Sequence, residues 1–277
     1  MTPGGCTQNT LRILHWLSKG DITTYMFGAI GNDSNGKFLK TEVEKANVQT
    51  RYATKPLATG LMISLVFNQH RSLAGNIGAS ELYTEADLKH ADNMTILSSV
   101  GLIYMEGFFI TNRLPVAKNI MTFCKKNKKS FAFNLCASYL VESYKDAVKE
   151  FVEASDILFG NLDEFECLMK NNGKNDFVSY AKELVNGTSK MVVITNGSEK
   201  VQCVEASRAT EFQVPTLQNS KVVDTTGAGD SFVSGFLYGY MQKKDMLTCV
   251  KWGCQTAQQV IQYIGVQLPK EVFAFDK

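Results

Sequence analysis

The run Asp224-Thr225-Thr226-Gly227-Ala228-Gly229-Asp230 joins a turn suited to anions to the start of a helix that carries a carboxylate. Gly227, Ala228 and Gly229 leave backbone N–H groups uncovered, and the first turn of a helix has unpaired donors and a partial positive charge, so a phosphate is well held there. Asp230 then stands within reach of that phosphate. A carboxylate beside an anion site is repulsive unless it has a task, and taking the proton of a hydroxyl that attacks phosphorus is such a task. The competing reading is structural, because a bare Asp at a helix start is commonly an N-cap. On these residues alone both readings stand.

Other turns offer chemistry of the same kind. Asn161-Leu162-Asp163-Glu164 follows an expected strand at 157–159 and opens a helix. It reads either as a capping box or as an Asn and Glu that order a hydrated magnesium ion and, through it, phosphates. Thr195-Asn196-Gly197 ends another expected strand, and is either a hairpin turn or a nucleotide contact. Arg71 is either a rim charge or a clamp on a phosphoryl group in transfer. Gly31-Asn32-Asp33-Ser34-Asn35-Gly36-Lys37-Phe38 comes close to a P-loop, but Phe38 has no hydroxyl for magnesium, so that reading loses its mechanism and a geometric turn is preferred. His15, His70 and His90 are isolated and read as structural. Gly235 and Gly239 read as close-packing positions on the helix after Asp230.

These turns need a scaffold that presents strand ends and helix starts together. In the 277-residue chain, short buried-strand runs alternate with amphipathic helical ones, the pattern of a largely parallel sheet covered by helices. Leu11, Leu14 and Leu17 mark a first helix, and 38–46 a second. Strands are expected at 25–30, 101–105, 131–135, 157–159, 191–195 and 201–205, with Val222 and Val223 ending a further short one. Phe232, Val233, Phe236, Leu237 and Tyr240 recur at helical spacing, and a last helix is expected from Asp245 to about residue 263. Residues 59–67 read as a strand and 68–80 as a polar, extended continuation with no helix between. This predicts a small β lid at 58–80 on an α/β core made of 1–57 and 81–277. Pro3-Gly4-Gly5 leads directly into the first helix, whereas a parallel α/β domain normally feeds that helix from a strand. An upstream strand is therefore expected to be missing.

Composition narrows the function classes. With 44% hydrophobic residues and a net charge of +2 from 29 basic and 27 acidic side chains, there is core enough for one domain and no electrostatic case for nucleic acid or a membrane surface. Seven cysteines without a C-x-x-C pair suit reduced thiols, so neither disulfides nor structural zinc are expected. No signal peptide or membrane span is read in the chain, and the expectation is a cytoplasmic or nuclear protein.

Taken together, Gly28-Ala29-Ile30-Gly31-Asn32-Asp33-Ser34-Asn35-Gly36 and 224–230 resemble the two signatures of the ribokinase-like (PfkB) carbohydrate and nucleoside kinases. Within that family the resemblance is strongest to the adenosine kinases, at Pro3-Gly4-Gly5-Cys6-Thr7-Gln8-Asn9, Asn68-Gln69-His70-Arg71-Ser72-Leu73, Asn134-Leu135-Cys136-Ala137-Ser138-Tyr139 and 156–164, in the same order. It implies a ribokinase-like fold and transfer of a phosphoryl group from ATP, with Mg2+, to the 5′-hydroxyl of adenosine, giving AMP for purine salvage. Gly4, Gly5 and Asn9 would line the ribose site, and Leu73 and Tyr139 would wall the base. Tyr139 stands where the family usually has Phe, and Thr226 where it often has Asn. Arg71 would be the clamp, Asn161 and Glu164 the metal-ordering pair, Thr195, Asn196 and Gly197 a nucleotide contact, Gly227 to Gly229 the anion hole and Asp230 the base. Adenosine and ATP are the implied partners of a monomer. The family also has an upstream strand carrying an Asp for the ribose hydroxyls and most of its lid, so this chain looks shortened at its N-terminus. The rival readings are another nucleoside or sugar kinase of the family, and a non-catalytic nucleoside-binding form.

Overall fold

The computed structural model describes residues 1–67, 70–206, 208–218 and 221–275, with the side chains of 64–67 and 70–73 outside the description. The elements are α1 (Cys6–Leu17), β1 (Tyr25–Gly31), α2 (Ser34–Lys45), β2 (Gln49–Lys55), β3 (Thr59–Phe67), β4 (His70–Gly78), α3 (Glu85–Leu88), α4 (Ala91–Ser99), β5 (Leu102–Glu106) and α5 (Leu114–Asn127). There follow β6 (Ser130–Asn134), α6 (Ser138–Ser143), α7 (Lys145–Ala154), β7 (Ile157–Asn161), α8 (Leu162–Asn171), α9 (Phe177–Val185), β8 (Met191–Thr195), β9 (Lys200–Glu205), β10 (Arg208–Gln213), α10 (Ala228–Met241) and α11 (Met246–Val260).

The main sheet has the strand order β10-β9-β8-β7-β6-β5. Strands β5 to β8 run parallel, β9 pairs antiparallel with β8, and β10 pairs antiparallel with β9. Alternation along each strand sends side chains to opposite faces. Phe131, Phe133, Leu158, Val192 and Ile194 pack under α5, α7, α8 and α9. Ala132, Ile157, Phe159, Val193 and Val201 pack under α10 and α11. Both faces being covered explains why these strands read as continuous apolar runs.

Helices α10 and α11 approach closely because glycine permits it. A Cβ on Gly235 would lie 2.4 Å from the Trp252 carbonyl oxygen, and one on Gly253 would lie 2.8 Å from the Phe232 ring. The close-packing reading of Gly235 and Gly239 therefore holds, Gly239 lying against Cys249.

Two smaller sheets stand apart: β1 pairs in parallel with β2, and β3 with β4 as an antiparallel hairpin. The Gly-Asn turn after β1 has a geometric task. Asp33 caps α2 by accepting from the Gly36 N–H at 2.7 Å, and its other oxygen accepts from the Thr59 N–H at 2.7 Å, tying the start of β3 to the end of β1. Those bonds from Thr59 and Gly36 hold the Asp33 carboxyl below its usual range.

Several expectations are corrected. Residues Val222 and Val223 form no strand; they are 37% and 55% exposed, and the segment hangs from the Ile261 carbonyl, which accepts from the N–H groups of Val223 and Asp224. Strands β2 and β10 were not anticipated, α2 starts at Ser34 rather than at residue 38, and α11 ends at Val260. The extended run expected at 68–80 is β4 followed by a short 3-10 turn at Ala79–Leu82, with residues 68 and 69 outside the described residues.

Candidate active site

Gly227 is the N-cap of α10 and takes φ +77°, ψ 9°, so the N-cap reading of Asp230 gives way: Asp230 is the third residue of the helix. The left-handed backbone favours glycine, and a Cβ at Gly227 would also sit 2.3 Å from Val266 Cγ2. Asp224 builds the turn ahead of it. Its Oδ1 accepts from the Thr226 N–H (2.8 Å) and hydroxyl (2.7 Å), and its Oδ2 from the Gly265 N–H (2.8 Å). Thr226, expected at the substrate, is thus engaged in shaping the turn that aims residues 227–229.

Asp230 is met by α1. Asn9 donates from Nδ2 to Asp230 Oδ2 at 2.8 Å, and the Ser234 hydroxyl shares its one proton between the main-chain oxygens of Asp230 (2.6 Å) and Thr10 (2.9 Å), linking the two helix starts. Among the described residues Asn9 Oδ1 is buried without a hydrogen-bond partner. Gly5, at φ +96°, is the N-cap of α1. Its neighbour Gly4 accepts from Gln8 Nε2 at 2.6 Å, so the Gly-Gly turn lies over the same helix start as Asn9.

The C-terminal end of β5 reaches this point. Glu106 ends β5 beside Asn134 of β6, and Asn161 of β7 lies beside Thr195 of β8. Glu106 is only 3% exposed. Its Oε1 accepts from the Tyr104 hydroxyl (2.8 Å), which in turn accepts from Asn134 Nδ2 (3.1 Å), while the Cys136 thiol lies 3.7 Å from Oε2. Cys6 Sγ and carboxyl oxygens of Glu106 and Asp230 all lie within 4.8 Å of one another. Burial first, and then the charge of Asp230, pushes the Glu106 carboxyl up to about 8. Burial and these carboxyls likewise push the Cys6 thiol up. A cavity of about 430 Å³ between α1, β1 and β5 is lined by Thr7, Thr10, Phe27, Tyr104 and Glu106 among others.

Asn161 and Glu164 form a complete capping box. Asn161 Oδ1 accepts from the Glu164 N–H at 2.9 Å, and Glu164 accepts from the Asn161 N–H at 2.9 Å and from its Nδ2 at 2.8 Å. Burial raises the Glu164 carboxyl. With both side chains so engaged, the pair fits a magnesium ion that keeps its water shell better than one bound directly. Thr195, Asn196 and Gly197 make the tight β8–β9 connection, Gly197 at φ +53° and Asn196 accepting from the Glu199 N–H at 2.9 Å. Tyr139, on the first turn of α6, is 60% exposed and presents its ring to solvent. Arg71 and Leu73 sit on β4 opposite Val66 and Ser64, and their side chains lie outside the described residues.

Sequence reasoning missed Glu106 and Tyr104, and gave no role to Cys136 and Asp224 although both stand in the runs it singled out. A carboxylate ending an apolar parallel strand, as in Leu102-Ile103-Tyr104-Met105-Glu106, was the available signal, since ligand chemistry in such sheets gathers at the carboxyl ends of strands.

A phosphate-ready helix start, a carboxylate in its first turn and the end of the parallel strand β5 beside it define a phosphotransferase of the α/β class. The chain matches the model of the pfkB family carbohydrate kinases over residues 1–272, and it belongs to that family. It is similar to adenosine kinase 2 of Arabidopsis thaliana, with 31% identity over 97% of this chain and 80% of the relative. To the adenosine kinase of Saccharomyces cerevisiae (strain ATCC 204508 / S288c) it is 29% identical over 100% of this chain and 83% of that one. Among solved structures it is similar to the adenosine kinase from Schistosoma mansoni in complex with 2-fluoroadenosine, at TM-score 0.92 and 26% identity, covering 96% of this chain and 81% of that one. It is also similar to Anopheles gambiae adenosine kinase in complex with a di(adenosine-5) tetraphosphate, at TM-score 0.88 and 30% identity, covering 95% and 80%. Among the described residues no helix is long and apolar enough to cross a membrane.

Proposed function

We propose that this chain is an adenosine kinase, transferring the γ-phosphoryl group of ATP in line to the 5′-hydroxyl of adenosine to give AMP and ADP. The observation that carries the reading is Asp230, the third residue of α10, standing just past the left-handed Gly227 turn and held by Asn9 at 2.8 Å. The relatives named adenosine kinase, alike over nearly the whole chain, support the choice of acceptor.

In this reading Asp230 takes the proton of the 5′-hydroxyl as its oxygen attacks the γ-phosphorus, and the bond from that phosphorus to the bridging oxygen of ADP breaks. The N–H groups of residues 227–229 stabilise the charge gathering on the phosphoryl oxygens. Asn9 aligns Asp230 through Nδ2, and its unpartnered Oδ1 accepts a ribose hydroxyl. Gly4 and Gly5 line the same ribose, Leu73 and Tyr139 flank the base, and Thr195, Asn196 and Gly197 lie along the nucleotide. Magnesium, ordered through water by Asn161 and Glu164, would neutralise phosphate charge. Arg71 serves as the phosphoryl clamp, a role carried by its place in the sequence. The β3–β4 hairpin, residues 58–80, acts as a lid on a core of 1–57 and 81–277. The protein works as a cytoplasmic monomer, and its seven free thiols suit that reducing compartment.

The family model describes carbohydrate kinases, so a sugar acceptor is the second reading. The test is a panel of nucleosides and sugars with the full chain, ATP and magnesium, following ADP release. Adenosine should give the highest kcat/KM. A sugar preferred over adenosine would replace the reading, and adenosine binding without turnover would make the chain a nucleoside-binding protein.

A further inference from the structure

We propose that Glu106 is a positioning residue for the transfer reaction: it stays a neutral carboxylic acid within 4.8 Å of Asp230, so that Asp230 alone carries the negative charge of the pair. The proposal rests on the kinase reading above.

Two carboxyl groups this close, one of them in a buried pocket, do not both ionise easily. Their surroundings decide which keeps the proton. Asp230 sits in the first turn of α10, where the helix start favours an anion, and it accepts a full amide hydrogen bond from Asn9. Glu106 is buried at the end of β5. Among the described residues the groups around it are a tyrosine hydroxyl from its own strand, the Cys136 thiol from the turn after β6, the Cys6 thiol from α1 and Asp230 from α10. None of these is a cation. Tyr104 gives one hydrogen bond to Oε1, and the sulfur contacts are weak. Beyond Cys136 stands another carboxyl, Glu164, which accepts from the Cys136 main-chain N–H. Cys136 is itself held at φ +71°, a left-handed conformation uncommon outside glycine, which turns its N–H to Glu164 while its thiol lies by Glu106. The chain thus spends backbone strain beside Glu106.

The consequence lies in the charge of the site. While Glu106 is neutral, the incoming triphosphate meets only one charge from this pair, that of Asp230. The 5′-hydroxyl proton passes to Asp230, and Glu106 keeps its own proton throughout. Once Glu106 ionises, a second negative charge enters the pocket, opposing both the phosphate and the charge that builds during transfer. Activity should therefore fall above the point at which Glu106 loses its proton, near pH 8.

Difference infrared spectroscopy of the full chain, titrated from about pH 6 to about pH 10 around that midpoint, reads the carboxyl itself without any substrate. Wild type should lose a protonated-carboxyl C=O band near pH 8, and Glu106→Gln should show no such loss. Tyr104→Phe, which takes a donor from the ionised form, should move the band's loss to higher pH. In parallel, kcat/KM for adenosine, or for whichever acceptor the panel returns, should fall about tenfold per pH unit above the midpoint in wild type. That alkaline limb should be absent from Glu106→Gln and retained in Cys6→Ala. A band loss that persists in Glu106→Gln, or no band loss in wild type, overturns the charge assignment. A band assigned to Glu106 together with an alkaline limb that survives Glu106→Gln overturns the positioning role. A chain that phosphorylates no acceptor sinks the kinase reading, and the positioning role falls with it; the infrared arm still decides the charge of the carboxyl.

Discussion

Asn9 and Asp230, 221 positions apart in the chain, are joined by a 2.8 Å hydrogen bond from the Asn9 amide to the Asp230 carboxylate. The bond brings the starts of α1 and α10 to one point, where the Gly-Gly turn and the anion turn meet.

Asn9→Ala removes the donor that aligns the base. A hydrogen bond to a charged group contributes roughly 1.5–3 kcal/mol, so kcat/KM for adenosine should drop about ten- to a hundredfold. Steady-state kinetics measure this, and Asn9→Asp should do worse, because it faces Asp230 with a like charge. Unchanged kinetics in Asn9→Ala would separate α1 from the reaction.

Gly227→Ala meets two obstacles. A side chain at φ +77° costs about 1–2 kcal/mol, and the new Cβ would lie 2.3 Å from Val266 Cγ2. Urea denaturation should show a loss exceeding the backbone cost alone, and adding Val266→Ala should restore only the part due to the clash. Full recovery in the double variant would mean that the left-handed backbone at this turn is not strained by a side chain.

Stability should carry the mark of Glu106. In the folded chain this carboxyl keeps its proton up to about 8, whereas an unfolded Glu loses it near about 4.3. Between those values the folded state binds the extra proton, so stability falls as pH rises and levels off above the folded value. Glu106→Gln lacks this loss. The melting temperature of the variant relative to wild type should climb from about pH 5 to about pH 8, and a difference that stays flat across that window would contradict the assignment.

Much of this architecture was legible because local chemistry and global fold agree. The buried strands Phe131-Ala132-Phe133 and Met191-Val192-Val193 read as strands since both faces of the sheet are covered. Asn161 and Asp245 announce their helices as N-caps, and do cap them. Strand β2, Gln49–Lys55, hid because among the described residues it pairs with β1 alone, in a two-stranded sheet, and its polar pattern carries no core signal. Val222 and Val223 misled for the opposite reason: two β-branched residues suggest a strand, but no neighbouring strand pairs with them in the described residues. At the site, the Gly227 turn and Asp230 were visible as a contiguous motif. Glu106 was not, because its meaning comes from Asp230 and Cys6, which reach it only through the fold.

The most direct measurement is the turnover of Asp230→Asn with adenosine, ATP and magnesium, beside a binding assay for adenosine. The substitution keeps the shape and the bond partner at Asn9 but removes the base, so kcat should fall by roughly 10² or more while adenosine still binds. Turnover near that of wild type would contradict the assignment of Asp230 as the base that activates the acceptor hydroxyl.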